Sequence, residues 1–243
     1  MINPDDFHLI QQLLMDEIVF PEINYVQNAP LNRTATTLHA AYRTISDRVE
    51  PVYLTGLEWN VYGDLQWQNN MLQQLSDNIY AMIAEYQHNP NNHLLTKIII
   101  WIQLWGGNSG RGVFVRGQGW PQNFDLQIYI NAVNQIQNQL YVEALNTLNH
   151  LNYVSTAFST KHIHFWSGGD APIYDSIIAA IVFGRNQSQV RPNEYPIYID
   201  ALDELIEELN DYNVTRSSIE RNLFNWADTQ QGRLWRCIRL SRV

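Results

Sequence analysis

Residues 158–185 read FSTKHIHFWSGGDAPIYDSIIAAIVFGR, and their pattern predicts helix, tight turn, helix. Ser159 or Thr160 fits the cap of a first helix running through Lys161 to Trp166. Ser167, Gly168 and Gly169 then stop it, since glycine tolerates left-handed backbone. Pro172 sets an extended approach to the second helix. Asp175 with Ser176 stands where an N-cap belongs, directly before the apolar run IIAAIVF. A carboxylate at that position receives backbone N–H groups and faces the positive end of the helix dipole.

Only two lysines occur in the chain, Lys97 and Lys161, against thirteen arginines. Lys161 is therefore not one of many solubilising surface lysines. An amine beside a carboxylate can pass its proton there and attack an electrophilic carbon, the route by which lysine reaches a Schiff base. The alternative reading is an exposed Lys161 and an Asp175 that only caps its helix.

Lysine, an intervening hairpin segment and then A-P-I-Y-D-S opening an apolar helix resembles the helix-hairpin-helix DNA glycosylases, and among them the 8-oxoguanine (OGG-like) branch. The resemblance is strongest over about 95–185. It implies a mostly α-helical bundle of the OGG type and excision of an oxidised or modified guanine from DNA, with β-lyase activity as an extension. In that family a lysine attacks the anomeric carbon of a flipped-out nucleotide and an aspartate assists. By position these are Lys161 and Asp175. The chain departs from the family in two ways. The two residues are fourteen positions apart, closer than is usual, and no L-P-G-V-G hairpin precedes the lysine. LNYVSTAFST stands there instead, without the glycines that let backbone N–H groups approach a DNA phosphate. The chain also resembles small bacterial OGG-fold proteins, some of which accompany anti-phage operons such as type IV CBASS. That resemblance implies protein partners in a defence operon, and a second function: a non-catalytic module that recognises a modified base, a nucleotide or a protein.

Outward from this stretch, 243 residues with 45% hydrophobic content suffice for one globular unit. Its expected parts are an N-terminal helical portion at 1–93, a glycosylase-like core at 94–185 and completing helices at 186–243. No apolar run approaches membrane-spanning length, and MINPDDFHLI lacks a basic, apolar signal pattern, so a cytoplasmic protein without membrane contact is expected. A single Cys237 excludes an internal disulfide and a Cys-rich zinc or iron–sulfur site, and no cofactor is called for. The net charge of −9 speaks against general, salt-driven nucleic-acid binding. Charge is uneven, however. DALDELIEELND at 200–211 is acidic, while Arg233, Arg236, Arg239 and Arg242 recur every third residue, either as a nucleic-acid contact or as a solvated face or partner of the acidic helix.

Helices are expected at 3–19, 36–49, 65–86, 94–104, 125–137, 140–151, 197–209 and 217–226, the last capped by Ser217 or Ser218 with Glu220 in its first turn. The 94–104 helix is apolar nearly all round and should be buried. It leads into WGGNSGRGVFVRGQGW at 105–120, which matches neither a P-loop nor a dinucleotide-binding fingerprint. That loop either borders the substrate with Asn108, Ser109 and Arg111, or simply turns the chain, with a small β-hairpin near 112–117. Tyr53, Trp59 and Tyr62 read as core. His162 and His164 suggest a metal pair, but residues two apart on a helix do not share a face, and no metal is expected. Lys161, His164 and Phe165 do share one, so His164 either orients the lysine or is a hydrogen-bonded core residue. Phe224 and Trp226 read as packed aromatics, with Trp226 the candidate to sandwich a flipped base.

Overall fold

The computed structural model describes residues 60–61, 65–66, 69–106, 124–152, 154–185, 190–210, 213–227 and 232. These are mostly helical. They fall into two compact units divided between Ile173 and Tyr174, each with buried apolar side chains of its own.

The first unit opens with an antiparallel pair, β1 (Asn60–Val61) and β2 (Leu65–Gln66), in which Asn60 faces Gln66 and Val61 faces Leu65. The helix expected from Leu65 therefore begins later, as α1 (Asn69–His88). Leu65 and Gln66, which the helical periodicity takes in, pair with the first strand instead. Next come α2 (Asn92–Trp105), α3 (Leu126–Gln137), α4 (Tyr141–Leu148) and α5 (Thr156–Trp166). Asn91 caps α2 by accepting the Leu94 N–H at 2.8 Å, and Asp125 caps α3 by accepting from Gln127 and Ile128. As expected of its composition, α2 buries Leu94, Leu95, Ile98, Ile99 and Ile102.

The helix bearing Lys161 is still more central. α5 packs against α1, α2, α3 and α4. Surrounded in this way, it buries every residue from Phe158 to Trp166, Ser159, Thr160, Lys161, His162 and His164 included. It also starts earlier than its Ser and Thr residues suggested. The N-cap position is Ser155, and Ser159 and Thr160 lie inside the helix, where Ser159 donates to Asn149 Oδ1 and Thr160 to the Ala157 carbonyl. A Ser or Thr that finds a nearby acceptor is tolerated mid-helix. α4 stops at Leu148, three residues before the expected end.

The second unit holds α6 (Ser176–Phe183), a 3-10 turn (Pro192–Glu194), α7 (Tyr195–Leu209) and α8 (Arg216–Ala227). α8 packs on both α6 and α7. Its cap is Thr215 rather than Ser217 or Ser218: the Ser218 N–H reaches Thr215 Oγ1 at 3.2 Å while the Thr215 N–H reaches Ser218 Oγ at 2.9 Å. That shift takes Glu220 out of the first turn, and its side chain is buried. Among the described residues no helix is long and apolar enough to cross a membrane. The expected helices at 3–19 and 36–49, the 112–117 hairpin, Tyr53, Trp59 and Tyr62, and the arginines from Arg233 onward lie outside the described residues.

Candidate functional site

Lys161 sits in the middle of α5 and is 9% exposed. Its Nζ lies 5.1 Å from the centre of the Phe158 ring, one helical turn earlier, within cation–π range. Phe158 is held in turn by the chain that ends α2: a Cβ added to Gly106 would stand 2.3 Å from Phe158 Cε1 and 3.2 Å from the Gln103 carbonyl. Glycine at 106 thus gives the ring its place, and the ring underlies the ammonium.

Behind the lysine lies a buried polar network. The Trp166 indole N–H donates to the Tyr129 hydroxyl at 2.8 Å, and that hydroxyl is 2.8 Å from His162 Nδ1. Having accepted from Trp166, Tyr129 can donate its own proton to Nδ1, which places the His162 proton on Nε2. Nε2 faces the Gln103 amide at 3.4 Å. With the Gln103 carbonyl turned toward Nε2–H, the buried Oε1, otherwise without a hydrogen-bond partner among the described residues, also gains one. His162 is held neutral. Burial chiefly, and the neighbouring Lys161 charge second, lower its pKa from 6.5 to about 3. Burial likewise pushes the Tyr129 phenol far up, partly offset by the Trp166 bond.

His164 is on the lysine's side of α5 and is 8% exposed. The Ala171 carbonyl accepts from its Nδ1 at 2.9 Å, which fixes the proton there and leaves Nε2 as the acceptor, 3.5 Å from the Tyr80 hydroxyl. The two histidines therefore face different partners. Among the described residues no three His, Cys, Asp or Glu side chains gather as a metal set.

The turn after α5 is a Schellman motif. Gly169 N–H returns to the His164 carbonyl at 2.9 Å and Gly168 N–H to that of Phe165 at 3.2 Å, with Gly168 at φ +68° and Gly169 at φ +91°. Next is Asp170, an exposed carboxylate whose Oδ2 accepts the Tyr141 hydroxyl at 2.6 Å.

Asp175, in the second unit, is the expected N-cap of α6. Its Oδ1 accepts the N–H groups of Ile177 at 2.9 Å and Ile178 at 3.1 Å. Tyr174 before it is fully buried and donates to Glu194 Oε2 at 2.6 Å, while Arg185 donates through Nε to Glu194 Oε1 at 2.8 Å. The Tyr174 phenol is pushed up by burial first and then by Glu194. Tyr198 is also fully buried, and its hydroxyl has no hydrogen-bond partner among the described residues. Burial, then the charges of Glu220 and Asp175, keep it protonated. Trp226, on α8, is 2% exposed.

Of the residues singled out from the sequence, Lys161 and His164 share α5 in the first unit, while Asp175 and Trp226 belong to the second. Asn108, Ser109 and Arg111 lie outside the described residues. The sequence reading missed Phe158 beneath the lysine, the Tyr129 and Gln103 partners of His162, the Trp166 indole that donates to Tyr129, the Tyr80 neighbour of His164, and Glu194 beside Tyr174. Phe158 was legible as the i−3 neighbour of Lys161. Tyr129 and Gln103, 33 and 59 positions from His162, gave no local signal.

A protein-family model described as "Putative 8-oxoguanine DNA glycosylase OGG-like protein" matches residues 81–224, a span that contains α2 to α7, Lys161 and Asp175. No curated protein and no solved structure matches the chain. With more than half of its 243 residues matched, the chain belongs to the OGG-like 8-oxoguanine DNA glycosylase family.

Proposed function

We propose that the protein is a DNA N-glycosylase that excises an oxidised or modified guanine, with Lys161 as nucleophile and Asp175 as the assisting carboxylate. The observation that carries this reading is a lysine buried to 9% exposure on the central helix of its unit, over an aromatic ring, in a chain of a glycosylase family. A solubilising lysine would hold its ammonium in water.

The target nucleotide is flipped from its stack. Asp175 takes a proton from the Lys161 ammonium, the freed amine forms a bond from Nζ to the sugar C1′, and the C1′–N9 bond breaks, its electron pair leaving with the base. The proton held by Asp175 then neutralises the departing base. A proton then passes from Nζ to the sugar O4′ and the C1′–O4′ bond breaks, which leaves a protonated imine at Lys161. Loss of a C2′ proton from that imine expels the 3′ phosphate, which is the lyase extension; hydrolysis instead returns the free amine. His164, whose Nδ1 donates to the Ala171 carbonyl, presents its Nε2 on the lysine's side of the helix, and Asn108, Ser109, Arg111 and Trp226 complete the proposed substrate contacts.

The net charge of −9 favours a second reading, a non-catalytic module that binds a modified base, nucleotide or protein partner in a bacterial anti-phage operon. Release of free base from single- and double-stranded oligonucleotides carrying 8-oxoguanine separates the two. The glycosylase reading predicts release by wild type and none by Lys161→Met. Specific binding without release by any form supports the recognition module.

A further inference from the structure

Both ends of α6 are tied to a single carboxylate. Tyr174, immediately before Asp175, donates to Glu194 Oε2 at 2.6 Å, and Arg185, just beyond the end of α6, meets Oε1 at 2.8 Å through Nε and at 2.7 Å through its terminal nitrogen. Glu194 is 5% exposed and closes the 3-10 turn that leads directly into α7. We propose that Glu194 is a positioning residue for Asp175, acting through Tyr174; this rests on the role given to Asp175 above.

A helix of eight residues is about 12 Å long, so two side chains reaching from its opposite ends to one carboxylate fix both its axial position and its tilt. The two donors differ in kind. A phenol gives one directional hydrogen bond, and a guanidinium gives a fork that occupies the other oxygen. Because the carboxylate is buried, releasing either donor exposes a charge to an apolar interior, and the clamp resists slipping. The Tyr174 ring cannot swing away, since it packs against Phe183 at 5.8 Å, Tyr195 at 6.3 Å and Tyr198 at 5.7 Å between centroids. Tyr174 and Asp175 share a peptide bond. Fixing the ring therefore fixes the direction from which the chain reaches the cap, and so the angle at which Asp175 meets the N–H groups of Ile177 and Ile178.

A merely stabilising clamp would change the unfolding free energy and leave the cap geometry alone. Full-length Tyr174→Phe, which keeps the ring, and Arg185→Gln separate the two by amide NMR and kinetics. In the folded variants the Ile177 and Ile178 amide signals should shift while those of Ala132 and Val133 on α3 stay. On lesion DNA, kcat should fall by about tenfold with KM within about twofold. Unmoved Ile177 and Ile178 signals in a folded variant would overturn the proposal, as would an unchanged kcat. If wild type releases no base, the glycosylase reading falls and the amide signals alone decide on the clamp. If Tyr174→Phe does not fold, Arg185→Gln, at a partly exposed side chain, carries the same test.

Discussion

His162 is neutral and buried next to the lysine that would do the chemistry, and this gives it a measurable signature. Its folded pKa of about 3 lies below the ordinary 6.5. Between those values the unfolded chain binds a proton that the native protein does not, so stability rises with pH across that window. The contribution is complete above about 6.5 and is lost as pH falls toward about 3. Urea midpoints measured across the window should fall on acidification in wild type, and less steeply in His162→Gln. Phe158 makes a second prediction at this level. The Cβ of Gly106→Ala would overlap its ring, so that substitution should cost about 1–3 kcal/mol in urea denaturation. It should also slow base excision, because the displaced ring is the one beneath Lys161.

The cap of α6 was legible in the sequence because everything it needs is local: a short carboxylate, then an apolar run, with both bonds going to N–H groups two and three residues ahead. The start of α5 was not. Two hydroxyl residues in its interior looked like caps, and what keeps them helical is packing from four other helices, together with the acceptors Asn149 and Ala157. The same logic separates the structural and chemical roles of Asp175. Asn caps as well as Asp, so Asp175→Asn should unfold within a few tenths of a kcal/mol of wild type, whereas Asp175→Ala should lose about 1 kcal/mol. Both should lose excision if the carboxylate accepts the lysine proton. An active Asp175→Asn would reduce Asp175 to a helix cap.

For the molecule as a whole, local pattern sufficed for the mostly helical class and for the buried character of α2, whose apolar residues run nearly all round it. The hydrogen-bond network around His162 was invisible, since it joins three helices whose meeting is a property of the packed unit. The net charge of −9 bears on how nucleic acid is met. Few phosphates can be neutralised by so acidic a chain, so binding to unmodified duplex should weaken with salt along a log–log slope no steeper than about −3, measured by fluorescence anisotropy. A steep slope would point to a concentrated basic face. The central claim is a covalent role for Lys161. It is tested most directly by borohydride reduction of the protein on DNA carrying 8-oxoguanine, followed by peptide mapping of the adduct. The account predicts one reduced cross-link, at Lys161, that disappears in Lys161→Met. A cross-link at another amine, or base release by Lys161→Met at the wild-type rate, would contradict it.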